Sequence, residues 1–350
     1  MLESNPSSSV RRISLYCALF VVFLVLVLIN RWGYEYRARY SAHLEDVADQ
    51  SEAALPRSIE LIMEKIQLER RNLIDESCRK ITWRRQSRPA RFYVEDRHRL
   101  MYCYVPKVAS TNLKRLMLIL SGAVETNDLS SIPSQSVHEE NQMRKFEPYG
   151  AADAIRTGLG NYTKVIFVRD PLERLASAYQ DKFADVNSSS KAYQTGIGTE
   201  IIRKYRHQPS QLSLETGHDV TFPEFVSYVI DEWKAGRRQL DVHWRPMIDL
   251  CLPCSMEYDI VGKFETLHRD VDFLLQRLNE SNVSRLFRTN RTHKTTSFWK
   301  RSVSQLSYQQ MSDLFRIYED DFRLFGYQYT TEICLSLSLV GCLRADVDYL

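Results

Sequence analysis

The 350-residue sequence contains only 12 glycines and lacks a phosphate loop of the form G-x-x-x-x-G-K-[ST]. This absence excludes the nucleotide loop of Mg²⁺-dependent NTPases, in which backbone amides of a glycine-rich turn surround the phosphates. The sequence also lacks internal repeats and low-complexity tracts, so repeat architectures are excluded. Its formal net charge is only +3, without a strong excess of either sign. This composition predicts one sizeable globular core with some chain left over.

A second pair of metal ligands is missing beside Cys251-Leu-Pro-Cys254, which argues against a zinc site. Six of the seven cysteines follow residue 29, and they are Cys78, Cys103, Cys251, Cys254, Cys334 and Cys342. An even number is compatible with three disulfides in an oxidising compartment, and all 15 pairings stay open. The alternative is a cytosolic domain with buried free thiols.

Charged residues are absent from Ile13 to Ile29, a run just long enough to cross a bilayer. We interpret residues 1–12 as a cytoplasmic tail and residues 13–29 as a transmembrane signal-anchor. A cleaved signal peptide is the alternative, but Asn30-Arg31-Trp32 stands where a small-residue cleavage site would be needed. Arginines flank the run on both sides, so the positive-inside rule does not fix its orientation.

Acceptor triplets for N-glycosylation lie only after the apolar run, at Asn161, Asn187, Asn279, Asn282 and Asn290. Together with the short N-terminal tail and the cysteines, they indicate a single-pass type II membrane protein. Everything after residue 29 would then face a secretory lumen.

Residues 30–90 are charged and poor in glycine. Apolar side chains recur in this segment at near-helical spacing, at Ile59, Ile62, Ile66, Leu73 and Ile74. We interpret the segment as a lumenal helical stem that holds a domain at residues 91–350 off the membrane. The alternative is a coiled coil that forms a homodimer through the stem, although the pattern persists over too few heptads to require it.

Short apolar runs within residues 91–350 predict buried strands at Leu100–Val105, Val165–Val168 and Tyr258–Val261. Helical spacing predicts helices at Asn112–Leu120, Phe222–Trp233, Arg269–Leu278 and Ser304–Tyr318. Strands that alternate with helices favour an α/β fold with a central parallel sheet covered on both faces.

The first strand leads into Pro106-Lys-Val-Ala-Ser-Thr-Asn112, whose small residues let the backbone approach a phosphate closely. A helix N-terminus attracts phosphate because its free N–H groups and its dipole point the same way. Lys107 would neutralise the charge that develops on a leaving phosphate, without Mg²⁺. The alternative is a loop lysine in solvent.

The second strand leads into Val168-Arg-Asp-Pro-Leu-Glu-Arg-Leu-Ala-Ser-Ala-Tyr179. An arginine fork at Arg169 and a hydroxyl at Ser177 are what a terminal phosphate monoester requires. Asp170 would cap the following helix, and Pro171 fits its first position. Two such junctions suit a ligand with phosphate at both ends, and we infer 3′-phosphoadenosine 5′-phosphosulfate, the activated sulfate donor.

The two motifs resemble the 5′-phosphosulfate loop and the 3′-phosphate motif of the Golgi carbohydrate sulfotransferases. The most similar group contains the chondroitin and dermatan 4-O-sulfotransferases and the HNK-1 sulfotransferase. The resemblance continues through Asp241-Val-His-Trp-Arg-Pro246, Cys251-Leu-Pro-Cys254, Tyr258–Thr266 and Tyr318–Tyr327. The chain departs from the family pattern at Ser110, Leu113 and Leu172, where cysteine, tryptophan and phenylalanine are usual, but no charged residue is lost.

The resemblance implies a P-loop-like sulfotransferase core, a location in the Golgi membrane, and no metal cofactor. It implies transfer of a sulfuryl group to position 4 of N-acetylgalactosamine in chondroitin or dermatan, with HNK-1-type glucuronic acid as the alternative acceptor. The residues that it assigns to the donor are Pro106, Lys107, Val108, Ala109, Ser110, Thr111, Asn112, Arg169, Asp170, Pro171, Leu172, Glu173, Arg174, Leu175, Ala176 and Ser177.

Histidine is the natural base for a sugar hydroxyl near neutral pH. His138 lies between the two donor motifs, a position that resembles that of the base in other sulfotransferases. We predict that His138 and Lys107 are catalytic. His243 is the rival, because it lies in a stretch with Arg237, Arg238 and Arg245 that suits an anionic acceptor.

The stretch from Arg285 to Arg301 is basic without a single acidic residue. A solvated face is the ordinary interpretation of such a run, but the local charge also fits a groove for an anionic glycan. Nucleic acid would fit the charge as well, and a lumenal location argues against it.

Two other classes of function stay open on sequence grounds. A metal-dependent glycosyltransferase would need a D-x-D motif on a loop, whereas Asp270-Val-Asp272 lies in a helical pattern and Asp346-Val-Asp348 in the C-terminal tail. A glycan-binding protein without turnover is disfavoured by the intact set of Lys107, Arg169 and Ser177.

Overall fold

The computed structural model describes residues 59–81, 89–126, 128–138, 143–185, 188–236, 240–287, 298–299 and 301–328. The predicted tail, the signal-anchor and the two C-terminal cysteines lie outside these ranges. No helix in the described part is long and apolar enough to cross a membrane. The chain divides into two compact units, Met1–Ile62 and Met63–Leu350, and the first is described only at 59–62, which is helical.

A five-stranded sheet lies at the centre of the second unit. In chain order, β1 to β5 are Phe92–Glu95, Leu100–Cys103, Arg144–Phe146, Thr163–Val168 and Ile260–Lys263. The helices α1 to α12 are 59–80, Ser110–Leu120, Ser134–His138, Ala151–Arg156, Pro171–Tyr179, Ser188–Tyr193, Thr199–Tyr205, Gln211–Thr216, Phe222–Lys234, Met247–Cys251, Leu267–Arg277 and Tyr308–Phe325. Turns of π-helix follow α5 and α6, at Gln180–Ala184 and Gln194–Gly198, and 3₁₀ turns are present at Leu129–Ser131, Phe264–Thr266 and Ser281–Phe287.

The sheet is mixed, with the strand order β3-β1-β2-β4-β5. The three predicted strands are confirmed as β2, β4 and β5, and they are parallel to one another. The prediction of a purely parallel sheet is corrected, because β1 pairs antiparallel with both β2 and β3. Only a four-residue turn separates β1 from β2, and so short a connection permits only an antiparallel pair.

Close packing between β4 and β5 depends on one glycine. Phe167 and Gly262 are partners in the parallel register. A Cβ atom at position 262 would lie 2.2 Å from the Phe167 ring, so only glycine allows the two strands to pair beneath that ring.

An aromatic cluster beside the sheet supports the segment from Asp241 to Pro246. Phe225 of α9 contacts Phe183 and Trp244, each with ring centroids 5.3 Å apart. Trp244 is only 1% exposed. Since aromatic pairs add about 0.5–1.5 kcal/mol beyond the area that they bury, this cluster gives the segment a rigid base.

Helix α1 packs against the sheet, because its polar side chains bind the edge of β5. Gln67 Oε1 accepts a hydrogen bond from Val261 N at 2.8 Å, and Arg70 donates to Val261 O at 2.5 Å and to Asp270 at 3.0 Å. The helix thereby covers a sheet edge that would otherwise expose unpaired backbone groups. The compact unit begins at Met63, and the division into a stem at residues 30–90 and a domain at residues 91–350 stays a prediction.

Two disulfides use both cysteines of the Cys-Leu-Pro-Cys motif. Cys78 of α1 pairs with Cys254, and Cys103 of β2 pairs with Cys251. The prediction that these cysteines form disulfides rather than a zinc site is confirmed. Cys334 and Cys342 lie outside the described residues.

Three of the five predicted glycosylation sites are in the described part of the chain. Asn161, Asn279 and Asn282 are all exposed, as an acceptor asparagine must be. Asn187 and Asn290 lie outside the described residues, and the use of all five stays a prediction.

Candidate active site

The carboxyl ends of the three parallel strands bring the predicted donor residues to one edge of the sheet. Residues 104–109 follow β2, Arg169 follows β4 and Phe264 follows β5. Open α/β sheets bind ligands at this edge. The topology therefore places the two sequence motifs side by side, as the sequence predicts.

The loop after β2 carries two residues in the left-handed backbone region. Lys107 has a φ of 70° and Ala109 has a φ of 53°, a conformation that residues with a Cβ atom rarely adopt. Helix α2 then begins at Ser110 without a side-chain cap and without an acidic residue in its first turn. The free N–H groups of this turn are suited to an anion.

Arg169 lies beneath this loop and is 2% exposed. Its guanidinium carbon lies 4.2 Å from the centroid of the Phe264 ring. Its terminal nitrogens donate to Lys107 O at 3.3 Å and to Glu173 Oε2 at 3.2 Å. Its Nε atom is buried and has no hydrogen-bond partner within the described part of the chain.

The start of α5 confirms the predicted cap. Asp170 accepts hydrogen bonds from Leu172 N at 3.0 Å and Glu173 N at 2.9 Å, and Pro171 occupies the first helical position. Burial raises the pKa of Asp170 to about 6. Ser177 lies four residues after Glu173 and so shares its helical face, which directs the hydroxyl to the side on which Arg169 binds Glu173.

Arg174 binds the protein itself rather than solvent. Its guanidinium is fully buried and donates to Pro106 O at 3.0 Å, Arg245 O at 2.7 Å and Val242 O at 2.9 Å. Its three nitrogens therefore join the loop that carries Lys107 to the segment that carries His243. The assignment of Arg174 to the donor, which the resemblance implies, stays a prediction.

Lys107 lies in a cluster of charges at the end of α5. Its Nζ atom lies 3.2 Å from Asp181 Oδ2, and the Nζ atom of Lys182 lies 3.1 Å from the same oxygen. Burial lowers the pKa of Lys107, and the Asp181 carboxylate opposes that shift. Lys182 also lies 4.6 Å above the centroid of the Tyr193 ring.

His243 is held by hydrogen bonds to Asp241 and Tyr193. Its Nδ1 atom lies 2.7 Å from Asp241 Oδ1 and 3.1 Å from the Tyr193 hydroxyl, which in turn donates to Asp241 Oδ2 at 3.2 Å. Burial lowers the pKa of His243 below its ordinary value of 6.5; Asp241 opposes the shift, and Lys182 and Lys107 add to it. The imidazole is therefore neutral near pH 7.

The predicted base His138 ends helix α3, and its side chain lies outside the described part of the structure. Its role stays a prediction. Of the arginines near His243, Arg245 donates from Nε to Leu240 O at 2.9 Å, whereas Arg237 and Arg238 lie outside the described residues. Most of the basic stretch also lies outside them.

The other residues assigned to the donor have the following positions in the structure, and their roles stay predictions. Val108, Leu172, Leu175 and Ala176 are buried in the apolar core. The Ser110 hydroxyl forms a hydrogen bond with Tyr104, Asn112 accepts one from Arg115, and Thr111 lies half-buried in the first turn of α2. Asp181 and Lys182, which follow Gln180 after the second motif, are not among the residues that the sequence predicts for the site.

The D-x-D motif at Asp270 is structural. Asp270 is fully buried in α11 and accepts hydrogen bonds from Arg70 at 3.0 Å, Lys263 N at 2.8 Å and Thr266 at 2.6 Å. The described residues contain no group of three or more His, Cys, Asp or Glu side chains that could hold a metal ion.

Comparison with known proteins agrees with this geometry. The model of the Sulfotransferase family matches residues 90–328. Carbohydrate sulfotransferase 11 of Mus musculus is 37% identical over 235 residues, which are 67% of this chain and 66% of that protein. Carbohydrate sulfotransferase 14 of Danio rerio is 37% identical over 249 residues, 69% of this chain and 64% of that protein. Carbohydrate sulfotransferase 9 of Homo sapiens is 34% identical over 278 residues, 75% of this chain and 60% of that protein.

No solved structure matches the chain significantly. The family match includes all five strands and both donor motifs. The chain therefore belongs to the sulfotransferase family, among the carbohydrate sulfotransferases. The matched regions span between 60% and 66% of the lengths of the three relatives.

Proposed function

We propose that this chain transfers a sulfuryl group from 3′-phosphoadenosine 5′-phosphosulfate to a hydroxyl of an anionic glycan. Family membership supports the class of reaction. The observation that carries the proposal is the convergence of Lys107, the uncapped N-terminus of α2 and the buried Arg169 at the carboxyl edge of the parallel strands.

The residues present fit the two charged ends of the donor. Lys107 and the first turn of α2 would hold the 5′-phosphosulfate, and Arg169 and Ser177 would hold the 3′-phosphate. The unpartnered Nε atom of Arg169 is consistent with an anion at that position, because a buried donor without an acceptor costs about 1–3 kcal/mol. When bound, the donor supplies a sulfonate whose bond to the 5′-phosphate is ready to be broken.

Lys107 and a histidine carry the chemistry in this proposal. Lys107 neutralises the negative charge that develops on the 5′-phosphate oxygen as the bond from that oxygen to sulfur breaks. The contacts of His243 support it as the base, because Nδ1–H donates to Asp241 and the lone pair is then on Nε2, which can accept the acceptor proton. His138, the choice made from sequence position, is kept as the competing base.

The acceptor that we propose is position 4 of N-acetylgalactosamine in chondroitin or dermatan. The sequence resemblance supports it, and so does the basic stretch Arg285–Arg301, which suits an anionic chain. Exposed charges are screened over about 10 Å at 0.1 M ionic strength, so binding of such a chain should weaken with salt. The alternative acceptor is glucuronic acid of the HNK-1 type.

The location that we propose is the Golgi membrane, with the N-terminus in the cytoplasm and the catalytic part in the lumen. The apolar run Ile13–Ile29, the exposed acceptor asparagines and the two disulfides support it, since disulfides persist in oxidising compartments. A C-terminal tag should resist protease in intact Golgi vesicles. Digestion of the tag without detergent would contradict this topology.

One experiment tests the reaction and the acceptor together. The full chain is incubated with a panel of glycans and either labelled sulfate donor or labelled UDP-sugars, each with and without a chelator, and the labelled disaccharides are analysed. We expect 4-sulfated N-acetylgalactosamine. Label in glucuronic acid would contradict the proposed acceptor but still support sulfuryl transfer. Transfer only from UDP-sugars would show that the chain is a glycosyltransferase. Donor binding without transfer to any glycan would make it a glycan-binding protein.

A further inference from the structure

Two ammonium groups, that of the partly buried Lys107 and that of the buried Lys182, meet at one oxygen beside the proposed transfer site. Asp181 Oδ2 lies 3.2 Å from Lys107 Nζ and 3.1 Å from Lys182 Nζ. Lys182 is 8% exposed, so its charge has little access to water. Two cations and one carboxylate leave one positive charge in excess, and a half-buried excess charge attracts an anionic ligand.

The π-helical turn Gln180–Ala184 brings Asp181 and Lys182 to this point. A π turn inserts an extra residue into an α-helix, and such turns are frequent at functional sites. The second motif of the sequence ends just before this turn, so α5 and Lys182 are parts of one continuous element, whereas Lys107 reaches the same point from the loop after β2.

The contacts run in a definite order from Lys107 to His243. Lys107 and Lys182 share Asp181, Lys182 lies over the Tyr193 ring at 4.6 Å, and the Tyr193 hydroxyl lies 3.1 Å from His243 Nδ1. Lys107 stands at the leaving-group end of the proposed reaction and His243 at the acceptor end. Lys182 lies between them in this series of contacts.

We propose that Lys182 is a second catalytic cation, which contacts the sulfonate oxygens in the place that Asp181 Oδ2 takes in this structure. The proposal rests on the proposed sulfuryl transfer. A bond forms between the acceptor oxygen and sulfur while the bond from sulfur to the 5′-phosphate oxygen breaks. The electron pair stays on that phosphate oxygen beside Lys107, and the acceptor proton goes to the base. Lys182 stays protonated throughout and contributes charge alone.

Asp181 has a defined part in this proposal. Its carboxylate keeps the two lysines in place and must give way when the donor's anion enters. Removing its charge should therefore favour anion binding, whereas removing the charge of Lys182 should weaken it. The two variants are predicted to act in opposite directions, which an ordinary structural salt bridge would not do.

The first test is calorimetric binding of nucleotides to the full chain without acceptor. We expect Lys182→Met to weaken binding of the sulfated donor by about 10-fold or more, which is the effect of losing one hydrogen bond to a charged group. The effect on adenosine 3′,5′-bisphosphate, which has no sulfonate, should be smaller. Asp181→Asn should bind both nucleotides at least as tightly as the wild type.

A matched control exists elsewhere in the fold. Lys204 lies 2.9 Å from Asp231 and 5.0 Å from the centroid of the Tyr205 ring, so it repeats the lysine–carboxylate–tyrosine arrangement away from the sheet edge. Lys204→Met should leave nucleotide binding and transfer unchanged. Lys182→Met should reduce the transfer rate at saturating donor by about 100-fold.

A second readout is the pKa of His243, measured by NMR in the free enzyme. The groups that face this imidazole are Asp241, Tyr193, Lys182 and Lys107. Loss of a neighbouring cation should raise the pKa of His243 in Lys182→Met but not in Lys204→Met.

Three results would contradict the proposed role of Lys182, and they can be told apart. If Lys182→Met weakens both nucleotides equally, or neither, Lys182 does not contact the sulfonate. If Asp181→Asn weakens binding as strongly as Lys182→Met, the three side chains form a structural ion pair. If the wild type binds neither nucleotide, the proposed function itself fails, and the role of Lys182 fails with it.

Discussion

At the scale of single residues, Lys107 combines a left-handed backbone with a partly buried ammonium group. A non-glycine residue in that region costs of order 1–3 kcal/mol and persists only where the surroundings enforce it. The Arg169 guanidinium, which binds Lys107 O at 3.3 Å, is part of that enforcement. The loop is thus shaped before any ligand arrives.

Replacing Lys107 by alanine should reduce the transfer rate by about 100-fold or more, because a preorganised charge in a closed site is typically worth about 3 kcal/mol. The measurement is the rate at saturating donor and acceptor. Lys65→Ala is the control, since the Lys65 side chain is 79% exposed on α1. A rate for Lys107→Ala within twofold of the wild type would remove Lys107 from the reaction.

Arg169→Ala should act differently, by weakening donor affinity more than the rate at saturation. Arg169 is assigned to the 3′-phosphate, which is remote from the reacting sulfur, so its contact is made equally in the ground state and the transition state. The measurement is the Michaelis constant for the donor. An unchanged constant with a collapsed rate would instead place Arg169 at the transfer step.

The candidate base His243 has a defined expected pH dependence. The pKa of His243 is held below 6.5 by burial, so its neutral form survives at mildly acidic pH and the acid limb of kcat/KM should lie below pH 6.5. Asp241 raises this pKa, so Asp241→Asn should move the limb further towards acid and lower the rate. His243→Ala should keep donor affinity and lose transfer. An inactive His138→Ala beside an active His243→Ala would assign the base to His138.

At the scale of elements, the segment that carries His243 is fixed from two sides. Arg174 of α5 binds the carbonyls of Val242 and Arg245. On the other side, α12 supplies the Tyr318 hydroxyl, which donates to Trp244 O at 2.6 Å, and the Asp321 carboxylate, which accepts from Met247 N at 2.7 Å and Ile248 N at 2.8 Å. The late sequence motif around Tyr318 therefore supports the site by holding the segment that carries His243 in place.

Asp321→Ala should destabilise the fold by about 2–4 kcal/mol, because it leaves two buried N–H groups at the start of α10 without an acceptor. Burial raises the pKa of Asp321 from 3.8 to about 7. Because its pKa is raised in the folded state, the Asp321 carboxyl stabilises the fold at low pH, and this contribution is lost as the pH rises through 7. The loss of unfolding free energy in Asp321→Ala should therefore be larger at pH 5 than at pH 8. Urea unfolding at both pH values measures it, with Glu319→Ala as a half-exposed control on the same helix.

The sequence was informative about elements whose signals are local. The cap at Asp170 and Pro171 and the apolar run of β4 lie within a few adjacent residues, so the second junction was predictable. Strand β3 has three partly exposed residues, and its pairing with β1 is a long-range contact that no local pattern encodes. The covering of β5 by α1 depends on Gln67 and Arg70, which look like ordinary surface residues in the sequence.

The same distinction applies to the site. Lys107, Arg169 and the motif with His243 were recognisable, because each lies at a strand end or in a family motif. The roles of Asp181 and Lys182 were not, because a π turn shifts them relative to the helical pattern. The contacts of Arg174 with backbone carbonyls were also not predictable, because an arginine beside a phosphate motif has the same letters whether it binds a ligand or backbone carbonyls.

At the scale of the whole molecule, the disulfides close two large loops in the chain. Cys78–Cys254 spans 176 residues and Cys103–Cys251 spans 148 residues. One loop lies within the other, and Lys107, Arg169, Lys182 and His243 lie inside both. The catalytic site is thus part of a doubly closed ring.

The double variant Cys78→Ser/Cys254→Ser should lose about 2–5 kcal/mol of unfolding free energy, the usual cost of removing a native disulfide. The measurement is urea unfolding under non-reducing conditions. Either single variant should lose a similar amount, since one cysteine alone cannot form the bond. A double variant as stable as the wild type would show that the noncovalent contacts of α1 suffice.

The spacing of Cys251 and Cys254 has a consequence for biosynthesis. Cys251 and Cys254 are only three residues apart, so Cys78 and Cys103 could each pair with either of them. The swapped pairs Cys78–Cys251 and Cys103–Cys254 would close loops of almost the same length as the native pairs. Loop-closure entropy depends only weakly on length, so it barely distinguishes native from swapped bonds. The native pairs must therefore be selected by folded structure, in which β2 already lies beside α10 when the disulfides form. An enzyme that reshuffles disulfides is therefore expected to be a requirement for producing the active form.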